Sequence, residues 1–299
     1  MLSYRHGYHA GNAADVLKHF ILIYVLDYIK KKDKSFIFID SHAGAGKYLI
    51  SDPYMQKNKE YLQGIEKILQ LKNDNIFLKK YLDLIKSINF NSDLKIYPGS
   101  CYLAARSLRP NDNLHFFELH PTEFLNLKKN FKDDSRVIIE NEDSYQKLNK
   151  LLPPKEKRAV ILIDPSYELK DEYEQVFKML SNCYKKFSLG VYIIWYPILK
   201  SNKAVSFTLN ILKKNYKNLS HIEMITDNLN NGMQGSGLFI INCPWSIEKD
   251  LKKSLGIIFD CLKKNNNVSK FTFKSNINKP TTSVTVVIKT ATGLAKEIK

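Results

Sequence analysis

The apolar run Ala159 to Ile163 ends in Asp164-Pro165-Ser166-Tyr167, which places a carboxylate, a proline and an aromatic within four positions. That set suits chemistry at an exocyclic amine of a nucleobase, such as methyl transfer. The lone pair of such an amine is delocalised into the ring, so it is a weak nucleophile until acceptors hold its N–H groups. Asp164 supplies one acceptor, being ionised at neutral pH with an unperturbed pKa of about 3.9. The carbonyl of Pro165 supplies a second, fixed by the proline ring. The Tyr167 ring offers a stacking face to an unpaired or extruded adenine, a contact worth about 1–3 kcal/mol per base. The plain alternative is a strand-ending Asp-Pro turn with an aromatic packed beneath it.

Three further strand ends carry polar groups. Ile39-Asp40-Ser41-His42-Ala43-Gly44-Ala45-Gly46 reads as a strand followed by a small turn, where Gly44 lets backbone approach a ligand closely. It is neither a phosphate loop, since Ser41 and Tyr48 break that motif, nor GxGxxG, since Leu49 holds the third glycine position. Glu118 closes the run from Leu114 and can accept from a ribose diol, at about 1.5–3 kcal/mol per charge-assisted bond. Asp143 and Ser144 follow the run Val137 to Glu140 and offer an acceptor to an adenine amino group, or else cap a helix. Asn242-Cys243-Pro244-Trp245 imitates the Asp164 motif, but its strand is expected at or near a sheet edge, away from the Gly44 turn, so it is taken as structural.

The elements that must position these groups alternate. An amphipathic helix is expected over Asp15 to Lys32 behind an Asn12 cap, then buried strands at Phe36–Asp40, Leu114–Glu118, Val137–Glu140, Ala159–Asp164, Val191–Tyr196 and Leu238–Asn242. Pro121 opens a helix in its first turn. Helices between strands at this interval give an α/β fold with a mostly parallel, twisted sheet covered on both faces. Two helical patterns between Leu49 and Lys95 interrupt the alternation and read as an insertion. Near the end, Val268 to Lys274 and Ser283 to Ile288 alternate as strands do.

With 299 residues and a hydrophobic fraction of 44%, the chain has material for one or two cores. Its apolar runs are far shorter than the roughly 18 residues a membrane span needs, and no secretory signal opens it, so a cytoplasmic address is expected. A net charge of +16 favours a polyanionic partner, although only five of the basic residues are arginine. Cys101, Cys183, Cys243 and Cys261 are too scattered for a CxxC metal site or a disulfide framework.

These motifs together resemble the bacterial 23S ribosomal RNA adenine-N6 methyltransferases, which use S-adenosylmethionine and act on adenine 2030. The resemblance runs from Met1-Leu-Ser-Tyr-Arg-His and His9-Ala-Gly-Asn through Ala14-Asp-Val-Leu-Lys-His19, Asp40-Ser-His-Ala-Gly-Ala-Gly46 and Tyr97-Pro-Gly-Ser100. It continues in Glu118-Leu-His-Pro121, Leu162-Ile-Asp-Pro165 and Trp195-Tyr-Pro197, over residues 1 to 274. It implies a Rossmann-like class I methyltransferase core of residues 1–48 and 96–274, a helical insertion at 49–95 and a C-terminal extension of unassigned role at 275–299. It implies cofactor contacts at His19, His42, Ser100, Glu118, Asp143, Ser144 and Asp164, to which the strand-end reading adds Gly44, with Asp164 also the catalytic acceptor beside Pro165 and Tyr167. Tyr4 falls on the family's RNA contact, and His6 and Lys18 share its motif. The implied reaction is direct methyl transfer from S-adenosylmethionine to N6 without a metal. The implied partner is 23S RNA, protein-free or early in assembly, met by a monomer. The family has Asp-Pro-Pro-Tyr where this chain has Ser166 at the third place. A DNA adenine-N6 methyltransferase and a non-catalytic basic RNA-binding protein are the competing readings.

Overall fold

A computed structural model describes residues 5–90, 93–169, 171–199, 203–226, 232–264, 269–276, 286–289 and 295–298. The chain runs through α1 (Ala13–Ile29), β1 (Ile37–Asp40), β2 (Lys47–Leu49), α2 (Pro53–Asn58), α3 (Ile65–Leu69), α4 (Ile76–Ile88) and β3 (Ile96–Pro98). It continues with α5 (Ser100–Ser107), β4 (Asn113–Phe117), α6 (Pro121–Asn130), β5 (Val137–Glu140), α7 (Ser144–Lys147), β6 (Ala159–Ile163) and α8 (Glu172–Lys186). Then come β7 (Val191–Leu199), α9 (Lys203–Lys213), β8 (Ser220–Ile225), β9 (Met233–Ile241), α10 (Glu248–Leu262) and β10 (Lys270–Ser275).

Eight strands form one sheet in the order β5-β4-β1-β6-β7-β9-β8-β10. The first five pair in parallel; β9 runs antiparallel between β7 and β8, and β10 antiparallel on the far edge. This is the sheet the resemblance implies. β1 pairs with both β4 and β6, Asp40 opposite Phe116 on one side and Leu162 on the other, so the chain reverses its direction of winding at β1. Such a reversal opens a crevice at the carboxyl ends of the strands. β6 is buried at all five positions, as a central parallel strand covered on both faces must be.

Local signals hold where their chemistry is local. The Asn12 side chain accepts from Asp15 N and caps α1, and Pro121 sits in the first turn of α6 behind His120. Other expectations need correction. α1 is not amphipathic: every residue from Ala14 to Leu26 is buried, Asp15, Lys18 and His19 included, because the helix is enclosed by α4, α5, α10 and β9. β9 is interior rather than at or near an edge, with β8 and β10 outside it. Its first half was hidden by Gly235 and Gly237, yet glycine is required at 237, where a Cβ would meet the Tyr196 ring at 2.1 Å. β8, Ser220-His-Ile-Glu-Met-Ile, was not expected at all.

β2 and β3 pair antiparallel, Lys47 opposite Pro98, and α2, α3 and α4 lie between them in sequence. The expected strand at Val268–Lys274 corresponds to β10, with Val268 outside the described residues. Of Ser283–Ile288, positions 283–285 are outside them, and Val286–Lys289 pairs antiparallel with Ala295–Ile298.

Candidate active site

A cleft of about 780 Å³ lies along the carboxyl rim of β1, β4 and β6. Twelve of the thirteen candidate residues line it: His6, Lys18, His19, His42, Gly44, Ser100, Glu118, Asp143, Ser144, Asp164, Pro165 and Tyr167. The thirteenth, Tyr4, lies outside the described residues.

On one side the cleft is built from ion pairs. Lys18, on the buried α1, donates to Asp164 Oδ2 at 2.5 Å and lies 2.8 Å from Asp15 Oδ1. The other Asp15 oxygen is 2.8 Å from His6 Nε2 and accepts from Gly11 N at 2.9 Å. Lys18 is only 5% exposed and Asp15 2%, so neither charge has more than a trace of water to turn to. Burial alone would drive the Lys18 ammonium down, but Asp15 and Asp164 hold it above the usual lysine range. Burial works against the Asp15 carboxylate too, and His6 and Lys18 still keep it well below its ordinary value. For Asp164 burial prevails and its carboxyl is raised, with Lys18 opposing. His19 is buried beside them; its Nδ1 is 2.8 Å from Tyr97 Oη, and burial lowers its pKa to about 3, which keeps the ring neutral.

On the other side the groups are fixed by backbone. Glu118 accepts from Gly44 N at 2.8 Å and from His120 N at 2.7 Å, one bond to each oxygen. Burial pushes its carboxyl up to about 7 against those two bonds. Gly44 itself has a φ of +61°, the left-handed conformation that glycine adopts without strain. Ser41 N donates to Leu162 O and Ala43 N to Phe117 O, so the turn after β1 is fastened to the strands on both sides. Both nitrogens of His42 face hydroxyls, Ser41 Oγ at 2.7 Å and Ser144 Oγ at 3.4 Å, and burial lowers the ring to about 3. Asp143 caps α7 by accepting from Tyr145 N, which is the helix-capping alternative; its carboxylate keeps further lone pairs and lines the cleft.

Tyr167 departs from the expectation of a free stacking face. Its ring is 8% exposed, lies 4.5 Å from the Tyr173 ring and sends its hydroxyl to Trp195 O at 2.8 Å. Its backbone has a φ of +55°, a conformation that is strained for a bulky side chain and persists only where the surroundings enforce it. The tyrosine therefore pins the turn that carries Asp164. The imitation motif lies at the other end of the sheet: Asn242 donates to Ser188 O and Gly190 O, which precede β7. Strand direction, not position near an edge, removes it from the cleft, since β9 runs opposite to β7.

Sequence reasoning assigned no role to three residues at the site. Asp15 joins His6 to Lys18; an i, i+3 pairing with Lys18 was the available signal. Asp40 is fully buried, takes a 2.6 Å bond from Ser100 Oγ and is raised to about 6 by burial. Trp195 lines the cleft with Lys18 Nζ 5.7 Å from its ring. Among the described residues, no cluster of His, Cys, Asp and Glu is suited to a metal ion.

Residues 33–273 match the family model described as Ribosomal RNA large subunit methyltransferase D, RlmJ. The chain is 38% identical over 257 residues to the Ribosomal RNA large subunit methyltransferase J of Escherichia coli strain K12, covering 85% of this chain and 92% of that protein. Its identity to the protein of the same name from Haemophilus influenzae is also 38%, over 258 residues and with the same coverage. A crystal structure of protein LPL1258 from Legionella pneumophila superposes with a TM-score of 0.82 at 37% identity, covering 91% of this chain and 99% of that one.

Proposed function

From the premise that the chain belongs to the RlmJ family of ribosomal RNA large subunit methyltransferases, we propose that it methylates N6 of one adenine, of the position-2030 type, in 23S ribosomal RNA. It is an S-adenosylmethionine-dependent methyltransferase, as its family is. The observation that carries the adenine-N6 reading is Asp164, a carboxylate at the crevice rim, held by Lys18 and followed by a proline carbonyl.

The polar groups of the cleft fit the donor. A ribose diol needs acceptors, and each Glu118 oxygen retains a lone-pair site beyond its one backbone bond. A sulfonium is favoured by negative charge, which Asp164 contributes. We assign His19, His42, Gly44, Ser100, Glu118, Asp143, Ser144 and Asp164 to this ligand, and His6 and Lys18, with Tyr4 by its family position, to the RNA. When bound, S-adenosylmethionine supplies an electrophilic methyl group. The chain's own part is to hold the amine. Asp164 accepts one N–H of N6 and the Pro165 carbonyl the other, which favours positive charge developing on nitrogen and aligns it for attack. The proton then leaves to water, so Asp164 acts as an orienting acceptor.

We assign the methyltransferase core to residues 1–48 and 96–274 and the insertion to 49–95. Among the described residues no helix is long and apolar enough to cross a membrane. The charge of +16 supports RNA as the partner, met protein-free or early in assembly by a monomer. Incubation with methyl-labelled S-adenosylmethionine and equal masses of duplex DNA and protein-free 23S RNA tests the reading. Label in RNA is expected; label confined to DNA overturns it in favour of the DNA-modifying alternative.

A further inference from the structure

We propose that Asp15 is a positioning residue for methyl transfer, which sets the place and charge of Lys18 and through it the orientation of Asp164. The proposal rests on the reading of Asp164 as the acceptor for N6. Its basis is geometric. Lys18 Nζ lies between two carboxylates, Asp15 at 2.8 Å and Asp164 at 2.5 Å, on a helix that leaves the lysine 5% exposed. An ammonium has three donors, and two carboxylates at this distance fix where it points.

Asp15 is in turn held from three directions: by Gly11 N, by His6 Nε2 and, through its own backbone, by the Asn12 cap. No hydrogen bond joins it to Asp164, so its hold on the position of that carboxylate passes through the lysine, and only its charge acts across the gap. The consequence concerns how strongly Lys18 leans on Asp164. With two anions to serve, the ammonium divides its hydrogen bonds, and Asp164 keeps acceptor capacity for an amine. With Asp15 neutralised, the whole positive charge falls on Asp164, which becomes a poorer acceptor and is drawn toward the lysine.

Several charged or titratable groups face Asp164: Lys18 and Asp15 from α1, His6 from the preceding segment, Asp40 from β1 and Tyr167 from its own turn. Of these, the negative charge of Asp15 raises the Asp164 carboxyl, and Lys18 lowers it. Removing the Asp15 charge therefore makes Asp164 more acidic, and the acid limb of the pH–rate profile moves to lower pH.

The test is a double-mutant cycle of Asp15→Asn and Lys18→Met in the full chain. Methylation of protein-free 23S RNA, S-adenosylmethionine affinity by calorimetry and thermal stability are measured on each variant. Asp15→Asn is expected to lower kcat by about 10- to 100-fold, the cost of misplacing an aligned group, with donor affinity changed less than about twofold and the acid limb displaced downward. In the Lys18→Met background the same substitution is expected to change kcat at saturating pH less than about twofold, since the hydrogen-bonded route by which it positions Asp164 is gone. Additive effects, or an acid limb that does not move, overturn the proposal. If Asp15→Asn does not fold, Asp15→Ser replaces it; failure of both to fold and bind the donor makes the residue structural and also overturns it. A wild-type enzyme that leaves 23S RNA unlabelled defeats the functional reading itself, whereas an active wild type with an additive cycle defeats only this inference.

Discussion

The two sides of the cleft hold their carboxylates by different means. Glu118 is fixed by two backbone N–H groups from the turn after β1 and the turn after β4. Asp164 is fixed by a side chain 146 positions earlier, on a helix buried on all sides. Backbone donors are lost only to proline and otherwise move only with the fold, so the Glu118 side is rigid by construction. The Asp164 side depends on a relay of side chains, Asp164 to Lys18, Lys18 to Asp15 and Asp15 to His6, in which the buried lysine and carboxylates need their neighbours. A rigid side suits a ligand common to many enzymes. A side set by replaceable side chains suits the part of the reaction that differs among them.

The largest separation between the two sides is expected from Asp164→Ala. In this variant kcat should fall by about 10³-fold or more, while circular dichroism stays near wild type and donor affinity falls far less than kcat does. Retained methylation moves the catalytic role elsewhere and ends the division of labour described above. Glu118→Ala should do the reverse, weakening S-adenosylmethionine binding by about 10- to 100-fold in calorimetry through lost charge-assisted bonds, with a much smaller effect on kcat at saturating donor.

Acidity distinguishes the sides more finely. Burial raises the Glu118 carboxyl to about 7 in the ligand-free protein, so the stability linked to it is fully present below the ordinary carboxylate range and is lost as pH rises through 7. Donor binding that uses the ionised carboxylate runs the other way. Affinity should weaken as pH falls from 8 to 6, by at most about tenfold per pH unit, and Glu118→Gln should flatten that dependence. Asp40, raised to about 6, adds a smaller component that survives in Glu118→Gln. The smallest effect is expected at the imitation motif. Asn242→Ala loses bonds to Ser188 O and Gly190 O at a residue with a φ of +56°, so it should cost about 1–2 kcal/mol in denaturant unfolding and leave kcat unchanged. A fall in kcat would mean that the far end of the sheet communicates with the cleft.

The backbone-anchored side was the more legible in sequence. A strand ending in Asp40 before a glycine turn, and another ending in Glu118 before Pro121, are local patterns, and their meaning follows from where strands end. The parallel sheet was legible for the same reason, because strands such as Ala159–Ile163 are buried on both faces and read as continuous apolar runs. β8 went unread although His221 and Glu223 alternate with Ile222 and Met224 as strand residues do; what the sequence does hide is the network those two make with the Tyr196 hydroxyl, which only the folded sheet assembles. The ion-paired side had no local signature. Nothing near Lys18 in the chain announces Asp164, and a helix with Asp15, Lys18 and His19 on it suggested a polar face in water. The resemblance to a known family brought His6, Lys18 and His19 forward, and Asp15 emerged only with the geometry.

The central claim is that the carboxylate at the end of β6 presents one adenine of 23S RNA for methylation at N6. Nucleotide-resolution mapping of N6-methyladenine in 23S RNA, from cells with and without this gene, tests it most directly. A single adenine methylated with the gene and unmethylated without it is the predicted result; an unchanged map, or a change at a base other than adenine, contradicts the account.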